Sequence, residues 1–288
     1  MKRKKSLLDR VFVFCNTMFM LFMIFICLYP FWHVLMGSFS EPSKLMNLNG
    51  VLLKPLGFTL DSYKAVIRNP NIITGYGNTI FLVVVGTLSG VICCAIGGYC
   101  FSRQFPFKRP ITFFFILTMY FSGGIIPTYL LNNNLLHLGN TRLVLFVPTL
   151  FSVYYMILLR TGFEGVPDSL AESAQLDGAN HLTILFRIMI PCAKPTIAVV
   201  ALYFAVAYWN EWFRASIYIT QKNMMPLQLV LKGILASATQ GASEADVVGV
   251  EEAVQYASII FTSIPILCVY PFVQKYFVKG SMIGAVKG

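Results

Sequence analysis

The chain has 288 residues, of which 57% are hydrophobic and 12% charged, about half the charge of an ordinary soluble domain, and its mean hydropathy is +0.69. That balance excludes a water-soluble globular fold and points to an all-α integral membrane protein. The net charge of +10 does not indicate nucleic acid, because the Lys and Arg residues lie between long apolar runs rather than on one soluble face.

Six apolar intervals follow in chain order, each able to hold a helix of the roughly 17 to 25 residues that crosses a bilayer. The expected spans are 11–36, 76–101, 111–131, 142–161, 195–219 and 254–275. The first follows Lys2, Arg3, Lys4 and Lys5 as a secretory signal would, but the run is too long and no small-residue cleavage site follows, so it reads as a retained helix. With the N-terminus inside, the inner segments carry 14 Lys or Arg: five before Val11, three in 103–109, and Arg160, Arg187, Lys194, Lys275, Lys279 and Lys287. The outer loops carry seven. Basic residues near span ends resist translocation, so this bias places both termini in the cytoplasm of a multi-pass membrane protein. Two outer segments are long, Gly37 to about Gly75 and about Thr220 to Glu252, and the second bears Glu244, Asp246, Glu251 and Glu252, suited to an extracellular partner.

The inner segment 162–194 differs from a plain turn, being charged and punctuated by Pro167, Gly178 and Pro191. Pro167 suits a first helical turn, and a helix over Ser169–Asp177 would set Leu170, Ala174 and Asp177 on one side, with Glu172 and Ser173 on others, until Gly178 stops it. A second helix, capped by Asn180, would carry Leu182, Leu185, Phe186 and Met189 as an apolar stripe as far as Pro191. Such a helix pair, projecting from a bilayer protein, is something a motor subunit can grip.

Glu172-Ser173-Ala174, three residues, Gly178, nine residues, Ile188, one residue and Ile190-Pro191 resemble the EAA loop of bacterial ABC-importer permeases, E-A-A-x3-G-x9-I-x-L-P. The departures are Ser173 for Ala and Ile190 for Leu. The resemblance extends along the chain through Phe58–Lys64, Asn69-Pro70, Ile126–Tyr129 and Tyr208–Trp212 to the carbohydrate-uptake branch, similar to the maltose-transporter G-type permease. The ending from Tyr270 to Gly288 is similar to the LplC and YtcP-like subgroup, associated with oligosaccharides of plant or algal polysaccharides, some bearing uronic acids.

The resemblance implies one permease domain over 1–288 with the type I importer fold and a cytoplasmic coupling helix between spans four and five. Glu172, Ser173, Ala174, Asp177, Gly178, Ile188 and Pro191 would then form the ATPase-coupling loop. It further implies a second, homologous permease subunit, two copies of an ABC ATPase, and an extracellular solute-binding protein, with or without a lipid anchor, all at a bacterial plasma membrane. ATP and Mg would be used by the ATPase, with no cofactor on this chain, which has no GxxxxGK[ST] segment.

Two further segments admit two readings each. Trp209, Asn210, Glu211, Trp212 and Arg214 are either a substrate path, with rings for sugar faces and a carboxylate for hydroxyls, or an aromatic belt at the outer interface. The tail with Gly284, Lys287 and Gly288 is either a cationic end at an anionic membrane surface or, by resemblance, a segment docking toward the ATPase. His33, His137 and His181 share no spacing with carboxylates that suggests a zinc site or a base, and the seven cysteines form no disulfide or metal framework. The rival function is an ion-gradient-driven secondary transporter, which normally places ionisable groups in mid-membrane within repeated halves. Enzymatic chemistry lacks a candidate constellation.

Overall fold

The structure, a computed structural model, describes residues 7–46, 50–240 and 252–268. The expected tail residues Gly284, Lys287 and Gly288, the acidic residues Glu244, Asp246 and Glu251, and the end of the sixth expected span lie outside these residues. Among the described residues the ordered elements are helices, and the single extended pairing is an isolated bridge between Ser40 and Phe58.

In chain order the helices are α1 (Leu7–Ser38), α2 (Pro42–Leu45), α3 (Asp61–Arg68), α4 (Pro70–Ser102), α5 (Lys108–Tyr120), α6 (Ile125–Leu130) and α7 (Val153–Glu164). They continue as α8 (Asp168–Leu176), α9 (His181–Ile184), α10 (Ile190–Cys192), α11 (Lys194–Trp209), α12 (Phe213–Tyr218), α13 (Leu227–Gln240) and α14 (Glu252–Cys268). Two straight helices are long and apolar enough to cross a bilayer, Leu8–Ser38 and Pro70–Ser102, as expected for the first two spans. The next apolar stretches are bent. Lys108–Tyr120 meets Ile125–Leu135 at 105°, Arg142–Thr149 meets Val153–Glu164 at 52°, and His181–Cys192 meets Lys194–Trp209 at 90°.

These bends correct the expectation of continuous helices over 111–131 and 142–161. Gly124, at φ +85°, stands outside helical backbone as the residue before α6, while Pro148 lies in the short helical turn before α7. The expected span 195–219 is divided as well, between Trp209 and Phe213. A run free of charge measures fitness for lipid and leaves straightness undetermined.

The described chain forms two compact units, one of residues up to Asn69 with Gly233–Ile264, the other of Pro70–Lys232 with the residues from Pro265 on. In the first, α1 buries none of its most apolar window, which fits a helix that faces lipid or another subunit. Its C-terminal end is tied by Ser38 Oγ to Tyr63 OH at 2.8 Å and by packing of His33 edge-on against Tyr256.

In the second unit α4 is central, lying against α7 and α11 through glycines on its surface. A Cβ on Gly98 would stand 3.0 Å from the Arg160 backbone nitrogen and 3.1 Å from the Met156 carbonyl oxygen, atoms that cannot swing aside. Gly86 and Gly90 admit the rings of Tyr208 and Phe204 from α11 in the same way. Cys94, Leu159, Phe163, Val200, Phe204 and Tyr208 fill this contact with almost no exposure, so the core of the unit runs along α4.

Candidate functional site

The loop between α7 and α11 is built from local backbone rules. Pro167 precedes α8 and Asp168 supplies the acidic side chain favoured in a first turn. At its end Gly178 takes φ +82°, its N–H bonds the Gln175 carbonyl at 3.0 Å, and the Ala179 N–H bonds the Ala174 carbonyl at 2.9 Å. Those two bonds form a Schellman cap. A Cβ at 178 would meet nothing within 4 Å, so the position needs glycine for its backbone angle and not for space. Asn180 then caps α9, its side-chain oxygen accepting from the Thr183 N–H at 2.8 Å.

The faces differ from those the periodicity suggested. Ala171 is buried and Ala174 half-buried, whereas Leu170 and Asp177 are exposed, because α8 rests on its small residues. In the next segment the backbone makes a π-helical turn over Leu185–Met189, with the Ile190 N–H bonding the Leu185 carbonyl. The extra residue in that turn shifts the phase, so Ile184, Leu185 and Met189 are buried and Leu182 and Phe186 are exposed. Glu172, Ser173, Gly178 and Pro191 are exposed, and Ile188 is half-buried. Leu176 is the extreme case, 90% exposed between Glu172 and Asp177.

The loop is tied sideways to the end of α4. Tyr99 OH lies 3.0 Å from His181 Nδ1, and Arg103 donates from Nη1 to Asp168 at 3.1 Å. Glu164 at the end of α7 accepts from Arg160 Nε at 2.8 Å and lies 3.6 Å from Lys108 Nζ.

The second charged interruption lies between α11 and α12. Glu211 is 7% exposed, and Arg214 occupies both of its oxygens: the backbone N–H donates to Oε1 at 2.9 Å, Nε donates to Oε2 at 2.7 Å, and Nη2 also pairs with Oε2. The pair bridges the break between the two helices, with the carboxylate capping an N–H in the first turn of α12. Asn210 turns its amide back to the Val206 carbonyl at 2.9 Å.

The two tryptophans diverge. Trp209 packs edge-on to Tyr76, while Trp212 is 37% exposed with Lys232 Nζ 3.2 Å from its ring centroid. Arg214 Nη1 is buried and finds no acceptor among the described residues. Lys232 was missed from the sequence, although a lone cation in the apolar helix Leu227–Ala236 is a usable signal.

Apolar helices, bent where glycine and proline interrupt them, together with a capped polar loop whose first helix rests on its small residues, describe a membrane-embedded subunit. No protein-family model matches the sequence. The chain is 34% identical over 286 residues to the polygalacturonan/rhamnogalacturonan transport system permease protein YtcP of Bacillus subtilis (strain 168), covering 97% of this chain and 99% of that protein. It is 36% identical over 284 residues to Protein LplC of the same organism, covering 97% and 96%. Among solved structures, a chain of a bacterial ABC transporter involved in the import of the acidic polysaccharide alginate superimposes with a TM-score of 0.87 at 31% identity, over 96% of this chain and 100% of that one. The chain belongs to the permease family of bacterial carbohydrate ABC transporters.

Proposed function

We propose that this chain is one of two permease subunits in an ATP-driven importer that carries oligosaccharides, including uronic-acid-bearing polysaccharide fragments, across the bacterial cytoplasmic membrane. The full-length likeness to a chain of an importer of an acidic polysaccharide carries this reading. Six spans, formed by α1, α4, the bent stretches 108–135 and 142–164, α11 and α14, would put both termini in the cytoplasm and α8–α9 on the inner face.

On that face α8–α9 is the coupling element. Glu172, Ser173, Ala174, Asp177, Gly178, Ile188 and Pro191 shape it, and the exposed Leu170, Leu176 and Leu182 are apolar groups on a charged loop that a partner ATPase would cover. ATP and Mg belong to two ATPase copies, and this chain binds no cofactor of its own. The tail with Gly284, Lys287 and Gly288 docks toward the same partner. An extracellular binding protein delivers the oligosaccharide to this chain and the second permease.

At the outer end of α11, Glu211 is consumed by Arg214, and Trp209 and Asn210 are turned to the chain itself. Trp212 and Lys232 are left for substrate, a ring with a cation beside it that suits a carboxylate-bearing sugar.

Purification of the tagged chain from its own membrane in mild detergent, followed by mass spectrometry and uptake in vesicles, tests the reading. A second permease and an ATPase in the complex, with uptake that requires ATP, is the expected result. A lone species that transports on an ion gradient would refute it.

A further inference from the structure

We infer that Tyr99 and Arg103 are positioning residues: they link the α8–α9 loop to the end of α4, so that a push on the loop moves the central helix of the unit. The inference rests on the reading of that loop as the ATPase contact. Tyr99 is 5% exposed, and its hydroxyl meets His181, the first residue of α9, at 3.0 Å. Arg103 donates to Asp168, the first residue of α8, at 3.1 Å. Each half of the loop is therefore held at its N-terminal residue by one side chain from the end of α4.

The two side chains also hold each other. The Arg103 guanidinium stands 5.0 Å from the Tyr99 ring centroid, and its Nη2 lies 3.3 Å from the sulfur of buried Met189. Asp168 is largely exposed, and an exposed ion pair contributes little. Contacts on three sides fix the guanidinium, which lowers the ordering cost of the pair and stiffens it.

The covalent joints of the loop have the opposite character. Gly165 and Pro167 interrupt the chain after α7, and a 90° bend separates His181–Cys192 from α11. Neither joint continues a straight helix from the loop into its neighbour, so the sideways ties are the route by which displacement would reach α4, which lies against both α7 and α11. Neither Tyr99 nor Arg103 belongs to the EAA pattern, so the loop motif alone does not reveal them.

The test uses the whole complex in liposomes and reads oligosaccharide imported per ATP hydrolysed. Tyr99→Phe keeps the ring under Arg103 and removes the hydroxyl to His181, and Asp168→Asn keeps the shape of the Arg103 partner and removes its charge. Tyr99→Phe is expected to lower transport per ATP about fivefold, the scale of one lost hydrogen bond, Asp168→Asn by less, and the pair by more than either alone, while the yield of complex and ATP hydrolysis hold. Unchanged transport per ATP in the double variant would overturn the linkage. So would transport and hydrolysis falling together in proportion to lost complex, the mark of a purely structural anchor. A wild-type complex without ATP-dependent uptake would instead overturn the importer reading, and the linkage with it.

Discussion

The loop between α7 and α11 and the break between α11 and α12 both interrupt apolar sequence with charge, and they use their polar groups in opposite ways. In the loop, Gly178, Asn180 and the Schellman bonds satisfy the backbone, so Glu172, Asp177 and the leucines beside them stay free at the surface. At the break, Glu211 is buried and engaged through both oxygens by Arg214, and Asn210 is bonded to its own helix. The loop is arranged for a partner. The break is arranged first for itself, with Trp212 and Lys232 remaining at its surface.

Substitutions should separate the two regions by what they damage. The largest effect is expected from Gly178→Val, which places a β-branched residue at φ +82° at a cost of about 1–2 kcal/mol or more and opens the turn between α8 and α9. Uptake should fall on the order of tenfold to a hundredfold while membrane insertion, followed by immunoblot of membranes, holds. Glu211→Gln should do the reverse. It leaves Arg214 near the interior without its counter-charge, costing about 1–3 kcal/mol, less than for a fully buried pair because Arg214 keeps some water contact. Thermal melting in detergent should drop, with uptake falling only as folded protein is lost.

Lys232→Gln sharpens the comparison, since Lys232 neither caps a helix nor pairs with a carboxylate among the described residues. The apparent KM for a uronic-acid oligosaccharide should rise about threefold to tenfold, with little change for a neutral one. The smallest effect belongs to Asp61, whose carboxyl is held below its ordinary value by the hydrogen bond from Lys64 and then by that from Thr59. Its charged form is favoured in the fold, so its contribution is present above the ordinary carboxylate value and disappears as pH falls through the lowered one. Both partners are exposed, so Asp61→Asn should shift melting only slightly at neutral pH, and the difference from wild type should vanish in acid.

Residue type carried much of this to the sequence level. The charge-free runs of α1 after Arg10 and of α4 announce two spans, Gly178 announces a stop and Asn180 a cap, and the spacing from Glu172 to Pro191 carries the family. Four features depend on the folded chain and could not be read that way. The 105° bend before Ile125 leaves the composition of its stretch unchanged. The π turn at Leu185–Met189 moves the buried face off the expected stripe of Leu182 and Phe186. The contact of Lys232 with Trp212 joins residues twenty positions apart, and the ties from Tyr99 and Arg103 span more than sixty.

The most direct test of the loop as the ATPase contact is a photo-crosslinking amino acid at position 176, where Leu176 is 90% exposed, activated in native membranes with the intact complex. The adduct expected there is with the ATPase subunit, in a yield that changes with nucleotide. Adducts with lipid or the second permease, while the ATPase co-purifies without a crosslink, would contradict the assignment of α8–α9 as the coupling element.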